Sequence, residues 1–394
     1  MTYPYGMHGA PAVGRGLPGL PRRSQKEAKR QLFDPSRYSV VGAGLGGQVL
    51  RKLDGAGKLI AELASASLSN FAAYVDHEGK YLAVKNSPSS GGIPFLRLVD
   101  VKSFSYVSQV SGGAPVATNA STGVAQHPAL DLIAVATSDN NVNFYKLTDV
   151  IGRDGGNLNG LTLEGQITGL SYTGKRFAWN PQGTLFSCVY GGAISSQIGR
   201  HVVYKWPSLD IAMDLGAFRA GTIDAYSCAQ FSADGRFYLG GYANNNSNTS
   251  SLEIHEVAYD SAGQYIDSEL VYAKGGTAVE GNGVMAVVGH EIIVLSCTAD
   301  AYCAIKVDTR DGFSAEEYVE PILTGSSGAT PGISKDGQLR SFHMGIVNSG
   351  PTIPPENQLI IKWNEQNNLF SPRGALVGVA QGGTNNCFTT IVGG

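Results

Sequence analysis

Apolar and polar residues alternate with a short period over most of the chain, and this pattern predicts strands instead of helices. The segment 201–206 reads His-Val-Val-Tyr-Lys-Trp, and the segment 252–257 reads Leu-Glu-Ile-His-Glu-Val. Successive side chains of a strand point to opposite faces of a sheet, so a period of two residues is typical of half-buried strands. The segments are also rich in β-branched and aromatic residues. The sequence therefore predicts an all-β fold.

The predicted strands belong to a repeat that is centred on a tight turn. Each copy has an apolar segment, a polar turn and a second apolar segment, as in residues 229–239, which read Ala-Gln-Phe-Ser-Ala-Asp-Gly-Arg-Phe-Tyr-Leu. Glycine suits such turns because it tolerates a positive φ. The turn positions are Gly79, Asp131, Gly183, Gly235, Gly289, Gly337 and Gly374, with spacings of 52, 52, 52, 54, 48 and 37 residues.

A unit of about 50 residues with four short strands has the size of a propeller blade. A single blade cannot bury both its faces, so blades stack on their neighbours around an axis. The seven units predict a seven-bladed β-propeller of four-stranded antiparallel blades. The last unit, with its third strand at 387–392, lacks a fourth strand. We expect the segment 48–63 to supply it, so that strands from both chain ends close one blade.

Composition adds limits on location and chemistry. The 394 residues include 42% apolar residues, but no apolar run approaches the ~18 residues of a membrane span, and residues 1–6 lack the apolar core of a secretion signal. We expect a cytoplasmic protein, or a virion protein if a phage encodes it. The five cysteines contain no CxxC pair. Cys297 and Cys303 could face each other across a hairpin, but we expect free buried thiols.

Residues 1–37 form a basic arm that differs from the predicted propeller, residues 38–394. Residues 1–23 are rich in Pro and Gly, and Ser24 and Glu27 form a capping box that predicts a short helix to about Phe33. The arm carries seven basic and two acidic residues, a net charge of +5, which leaves −8 for the remaining chain.

The arm is too poor in apolar residues to fold alone, and a solvated tail is the simplest expectation for it. If the arm is held, its partner is a neighbouring protein subunit, its own propeller or nucleic acid. We favour a protein subunit, because dispersed charges without interleaved aromatic residues are a weak nucleic-acid signal. The partner-binding residues are predicted to be Arg22, Arg23, Lys26, Lys29, Arg30, Leu32 and Phe33.

Several motifs suggest catalysis or ligand binding, but each has a simpler structural explanation. Gly42, Gly44 and Gly47 fit the G-x-G-x-x-G pattern of dinucleotide sites, with Glu62 as the ribose partner. However, residues 48–53 are too short for the required helix, and no βαβ alternation follows. We expect a glycine-rich turn that links the arm to the propeller.

Candidate metal ligands are equally weak. The seven histidines are scattered without a metal-binding spacing, and Asp76, Asp234 and Asp336 occupy repeat turns, where aspartate favours the turn itself. The segment 138–141, Ser-Asp-Asn-Asn, hints at calcium ligation but is more typical of a hairpin turn. We predict no catalytic residue, no cofactor and no metal site.

The insertions between the second and third strands of several units occupy equivalent positions. They comprise residues 91–94, 195–200, 244–250 and 348–356. In a propeller they would cluster on one rim, and loops on a rigid scaffold are frequent binding sites. We therefore predict that this rim is a contact surface.

Strands that end in Tyr-Lys-Trp (204–206) or Phe-Tyr-Lys-Leu (144–147), after turns of the Pro/Asp-x-Gly type, resemble WD40 blades over residues 45–394. The Trp-Asp dipeptide of that family is missing, so the chain resembles a divergent branch, similar to propellers of tailed-phage virion proteins. The resemblance implies a non-enzymatic assembly scaffold, a phage head or tail component that docks through its arm and loop rim. The alternatives are a cellular WD40-like interaction adaptor and a metal-dependent propeller hydrolase or lactonase.

Overall fold

The structure is a computed structural model, in which the chain is divided into two units, 1–33 and 34–394. All described residues belong to the second unit. They are 34–44, 49–64, 72–75, 79–86, 95–111, 123–137, 139–153, 158, 160–171, 174–191, 198–219, 227–244, 249–275, 283–297, 301–310, 313–321, 331–344, 358–363, 375–381 and 389–393.

The described strands form seven four-stranded sheets, A to G, in which every neighbouring pair is antiparallel. From the inner to the outer strand, sheet A contains β28 (Thr389–Gly393), β1 (Tyr38–Gly44), β2 (Val49–Asp54) and β3 (Leu59–Ala64), and sheet B contains β4 (Ala72–Val75), β5 (Tyr81–Asn86), β6 (Phe95–Asp100) and β7 (Ser105–Ser111). In the same order, sheet C contains β8 (Val124–Gln126), β9 (Ile133–Ala136), β10 (Val142–Tyr145) and β11 (Leu163–Ile167), and sheet D contains β12 (Gly174–Trp179), β13 (Leu185–Tyr190), β14 (Ile198–Lys205) and β15 (Ile211–Arg219). Sheet E contains β16 (Ser227–Phe231), β17 (Phe237–Asn244), β18 (Thr249–Tyr259) and β19 (Tyr265–Gly275); sheet F contains β20 (Gly283–Val288), β21 (Glu291–Cys297), β22 (Ala301–Asp308) and β23 (Ser314–Pro321); and sheet G contains β24 (Gly332–Ile333), β25 (Leu339–Met344), β26 (Gln358–Trp363) and β27 (Ala375–Gln381).

The inner strands of the sheets contact one another in a closed order. Each inner strand lies against the inner strand of the next sheet, from β28 through β4, β8, β12, β16 and β20 to β24, and β24 lies against β28. The sheets therefore stack around an axis as the blades of a β-propeller. The predicted all-β architecture of four-stranded antiparallel blades is confirmed.

Six of the sheets, B to G, consist of four consecutive strands, whereas sheet A joins both ends of the chain. Strand β1 pairs with β28, with Val40 opposite Ile391, and it pairs with β2 on its other side. We expected three strands from the C-terminal end and one from the N-terminal end, and this expectation was wrong. The N-terminal end supplies three strands, and the C-terminal end supplies one.

The error arose from the last predicted repeat unit. Residues 375–381 are the outer strand of sheet G, because they pair with β26, so no new blade begins at the turn predicted at Gly374. Gly374 itself lies outside the described residues. The segment predicted as a third strand at 387–392 contributes β28, the inner strand of sheet A.

The repeat turns join the inner strand to the second strand in sheets B to G. Gly79, Gly183, Gly235, Gly289 and Gly337 all have a positive φ, between 62° and 78°, as predicted for these turns. The sixth turn, at Asp131, has no glycine, and there the His127 side chain accepts hydrogen bonds from the backbone N–H groups of Ala129 and Leu130 at 3.1 and 2.9 Å.

The core consists of apolar side chains that interlock between neighbouring blades. Blades D and E bury Leu185, Val203, Tyr238 and Val257 against each other. Complete burial of each such side chain stabilises the fold by about 1.5–3 kcal/mol. Stacking is therefore what holds the sheets in the ring.

Helix contributes little to the described fold. A 3-10 turn, Pro35–Arg37, precedes β1, and α1 (Leu147–Val150) lies between β10 and β11. Among the described residues, no helix has the length and apolar character that a membrane crossing needs.

Candidate interaction surface

The antiparallel strand order gives the propeller two different rims. One rim, here the turn rim, carries the connections between first and second strands and between third and fourth strands. The opposite rim, here the loop rim, carries the connections between second and third strands and those that lead from one blade to the next. The four predicted insertions all connect a second strand to a third strand, as predicted, although most of their residues lie outside the described ranges.

On the turn rim, Ser-x-Asp-Gly turns satisfy their own polar groups. In blade E, the Ser232 hydroxyl donates to Asp234 at 2.5 Å and accepts from the Phe237 N–H at 2.9 Å. In blade G, the Ser334 hydroxyl donates to Asp336 at 2.5 Å and accepts from the Leu339 N–H at 2.9 Å. Both aspartates therefore stabilise their turns, as the sequence suggested, and Asp76 lies outside the described residues.

Hydrogen bonds also join the turns of successive blades. The His127 Nε2 atom of blade C is 3.0 Å from the Gly183 carbonyl oxygen of blade D. The Gln182 amide of blade D donates to the Asp234 carbonyl oxygen of blade E at 3.2 Å. The Tyr38 hydroxyl of blade A donates to the Asp336 carboxylate of blade G at 2.8 Å. These polar groups of the turn rim bind neighbouring blades together.

A buried Ser-His-Tyr cluster lies between blades D and E. The Ser187 hydroxyl, the His201 Nε2 atom and the Tyr238 hydroxyl are mutually hydrogen-bonded, and all three residues are at most 2% exposed. Burial lowers the pKa of His201 to about 3, with His255 contributing repulsion and Glu253 an opposing attraction. Burial also raises the pKa of Tyr238.

This cluster contains residue types that are found in hydrolases, but its geometry fits a structural role. The three side chains are buried, and buried networks of this kind fix the packing of the elements that they join. Sequence reasoning missed the cluster. Its only signal was a histidine within the apolar segment 201–206.

The remaining predicted sites resolve into strands, turns and ion pairs. Gly42 and Gly44 lie in β1, which pairs with β2, so they do not form the expected link between arm and propeller. Gly47 lies outside the described residues. Glu62 pairs with Arg51 at 2.9 Å. Asp139 accepts hydrogen bonds from Thr137 and Asn141 within a hairpin connection, as expected.

The described thiols are also structural. Cys188, Cys228 and Cys303 are free and buried, and burial raises the pKa of Cys228 to about 12. The strand register places Cys303 opposite Ser296, and Cys297 opposite Tyr302. Among the described residues, no three His, Cys, Asp or Glu side chains are grouped to hold a metal ion.

The predicted partner-binding residues of the arm cannot be placed in this fold. All of them lie outside the described residues: Arg22, Arg23, Lys26, Lys29, Arg30, Leu32 and Phe33. Their role stays a prediction.

The outer perimeter is the part of the described surface that combines apolar exposure with charge. Within the described ranges, every strongly exposed large hydrophobic side chain except Leu130 lies on the outer strand of a blade. These residues are Leu59, Ile60, Leu163, Ile211, Ile266 and Leu270. Each outer strand pairs with a described strand on one side only, so the perimeter offers both backbone hydrogen-bonding groups and apolar side chains.

Comparisons with known proteins support the fold. No protein-family model and no curated protein matches the sequence. The β-propeller domain of Cps50 (Swd1) from Myceliophteria thermophila has a TM-score of 0.50 at 11% identity, over 79% of this chain and 94% of that one. The WD40 repeats of RRP9 have a TM-score of 0.45 at 13% identity, over 78% and 84%. A chain of hydrazine synthase from Kuenenia stuttgartiensis has a TM-score of 0.41 at 10% identity, over 74% and 75%. In fold, the chain is therefore similar to the β-propeller domain of Cps50 (Swd1).

Proposed function

We propose that the protein is a WD40-like adaptor, a non-enzymatic platform on which other proteins bind. The observation that carries this proposal is the ring of stacked blades, whose loop rim gathers the connections between second and third strands. A rigid scaffold that presents several loops and edges on one body suits the binding of other proteins. The polar groups of the turn rim and of the blade D–E interface form hydrogen bonds that hold blades together. This structural use of the polar groups supports a non-enzymatic role.

A role as a phage head or tail component stays a prediction from sequence resemblance. No feature of the described residues favours it over a cellular adaptor. A propeller hydrolase would need an accessible cluster of ligands, and Asp234 and Asp336 are committed to their turns.

The proposal predicts that the protein works in a complex larger than its own 41.3 kDa chain. A photo-cross-linking amino acid at Ser171, exposed on the loop rim, should capture a stoichiometric protein partner in extract of the native source. The matched control is Ser103, exposed in the β6–β7 turn on the turn rim of blade B, which should capture little. Light scattering measures the mass of the complex. A chain that elutes alone and cross-links from neither position would contradict the proposal.

A further inference from the structure

Strand β19 differs from the other outer strands in length. It spans 11 residues, whereas the outer strands of the other blades span between 5 and 9 residues. The free edge of an outer strand exposes N–H and C=O groups that can pair with another extended chain. The length of β19 therefore gives it the largest free backbone edge among the described blades.

Strand β19 also differs in its charges. On the other outer strands, each carboxylate whose side chain is described has a basic partner, in the pairs Glu62–Arg51, Glu164–Lys146, Asp214–Arg200, Glu316–Lys306 and Glu317–Lys274. Asp267 and Glu269 of β19 are exposed and have no basic partner among the described residues. The Asp267 carboxylate accepts a hydrogen bond from the Ser268 N–H at 2.8 Å.

Exposed apolar side chains of β19 alternate with its carboxylates along the strand. Residues 266–270 read Ile-Asp-Ser-Glu-Leu, and Ile266 and Leu270 are 61% and 50% exposed. Asp267 and Glu269 lie opposite Ala258 and Glu256 of β18, on one face of the blade, whereas Leu270 lies opposite His255 on the other face. A strand added outside β19 would therefore meet two carboxylates on one face and Leu270 on the other.

We propose that β19 binds an extended segment of another protein that alternates basic and apolar residues, by strand addition to its free edge. This inference rests on the proposed role as an interaction platform. A second copy of this chain does not suit the site: antiparallel pairing of two β19 strands about Ser268 sets Asp267 opposite Glu269 of the other copy, and like charges directly opposite are destabilising. Lysine or arginine at those positions reverses the sign of the interaction.

The probe for this proposal is the synthetic peptide acetyl-Thr-Lys-Val-Lys-Val-Lys-Thr-amide. Titration calorimetry should show that it binds the full chain and that the double variant Asp267→Asn/Glu269→Gln weakens binding about fivefold, because two exposed cross-strand charge pairs are lost. The matched control is Glu316→Gln on β23, a carboxylate that already pairs with Lys306 and should leave the affinity unchanged. Both sites are exposed, and thermal melting checks that each variant folds.

Two further measurements separate strand addition from simple charge attraction. Hydrogen exchange should slow at amides of residues 265–275 when the peptide is bound. The same peptide with methyl groups on those alternate backbone nitrogens whose N–H groups would face β19 should not bind. The proposal is overturned if the peptide does not bind, if the double variant binds it equally well, or if the N-methylated peptide binds as tightly. If the double variant still forms the native complex detected by light scattering, the platform role stands without this edge.

Discussion

At the scale of single residues, the fold depends on polar groups that are satisfied only in the assembled ring. Ser187 lies on β13, His201 on β14 and Tyr238 on β17, so their cluster exists only when blades D and E stack. A buried polar group that loses its partner costs about 1–3 kcal/mol. The cluster therefore favours one packing of the two blades over alternatives.

His201 predicts a specific pH dependence of stability. Its pKa is about 3 in the folded chain, against about 6.5 for an unfolded histidine. Because only the unfolded state binds the proton between these values, the contribution is complete above about pH 6.5 and is lost as the pH falls. Between pH 7.5 and pH 5 this histidine should account for about 2 kcal/mol of lost stability.

The free energy of unfolding of wild type and His201→Gln, measured by urea titration across that pH range, checks this expectation. The variant should lose about 2 kcal/mol less than the wild type. Ser261→Gln, at an exposed turn position without a titrating group, should follow the wild-type pH profile. Equal pH dependence of wild type and His201→Gln would show that the imidazole is not buried in its neutral form.

At the scale of elements, the repeat turns combine backbone conformation with contact between blades. Gly183 and Gly289 occupy the same turn position in blades D and F, with φ values of 70° and 62°. A Cβ atom on Gly183 would collide with the imidazole ring of His127 in blade C, whereas one on Gly289 would meet nothing within 4 Å. The two glycines thus separate the conformational requirement of the turn from the packing of neighbouring blades.

Alanine substitution at these two positions should therefore give unequal losses. Gly289→Ala should cost about 1 kcal/mol, from the left-handed backbone alone. Gly183→Ala should cost about 3 kcal/mol, because overpacking against His127 adds to that strain. Chemical denaturation of both variants measures the difference. Equal losses would mean that the turns of blades C and D are not in the contact described.

At the scale of the whole molecule, the sequence predicted most of the architecture because its local signals repeat. The repeat turns, five of them with glycine, and the alternating strands marked the six blades of consecutive strands. The closing blade was misassigned because its first and second strands, β28 and β1, are the two chain ends, so no turn sequence joins them. The Ser187–His201–Tyr238 cluster was not predicted, since its members come from different blades up to 51 residues apart.

The unusual edge of β19 was equally hidden from the sequence. The sequence alone does not distinguish one acidic residue on an outer strand from another. Only the three-dimensional structure shows which of them have a basic partner. The arm presents the reverse case: its charge and its capping box are plain in the sequence, while residues 1–33 lie outside the described fold.

Closure of the ring by β1 and β28 is the central claim, and a cross-strand disulfide tests it most directly. Ser39 lies opposite Val392, whereas Ile391 points to the other face of β28. In the variant Ser39→Cys/Val392→Cys, mild oxidation should produce a disulfide, seen by mass spectrometry, that raises the melting temperature until it is reduced. The register control Ser39→Cys/Ile391→Cys and the parent chain should gain no bond. Failure of the first pair to cross-link, or equal cross-linking of the control pair, would contradict the closed ring.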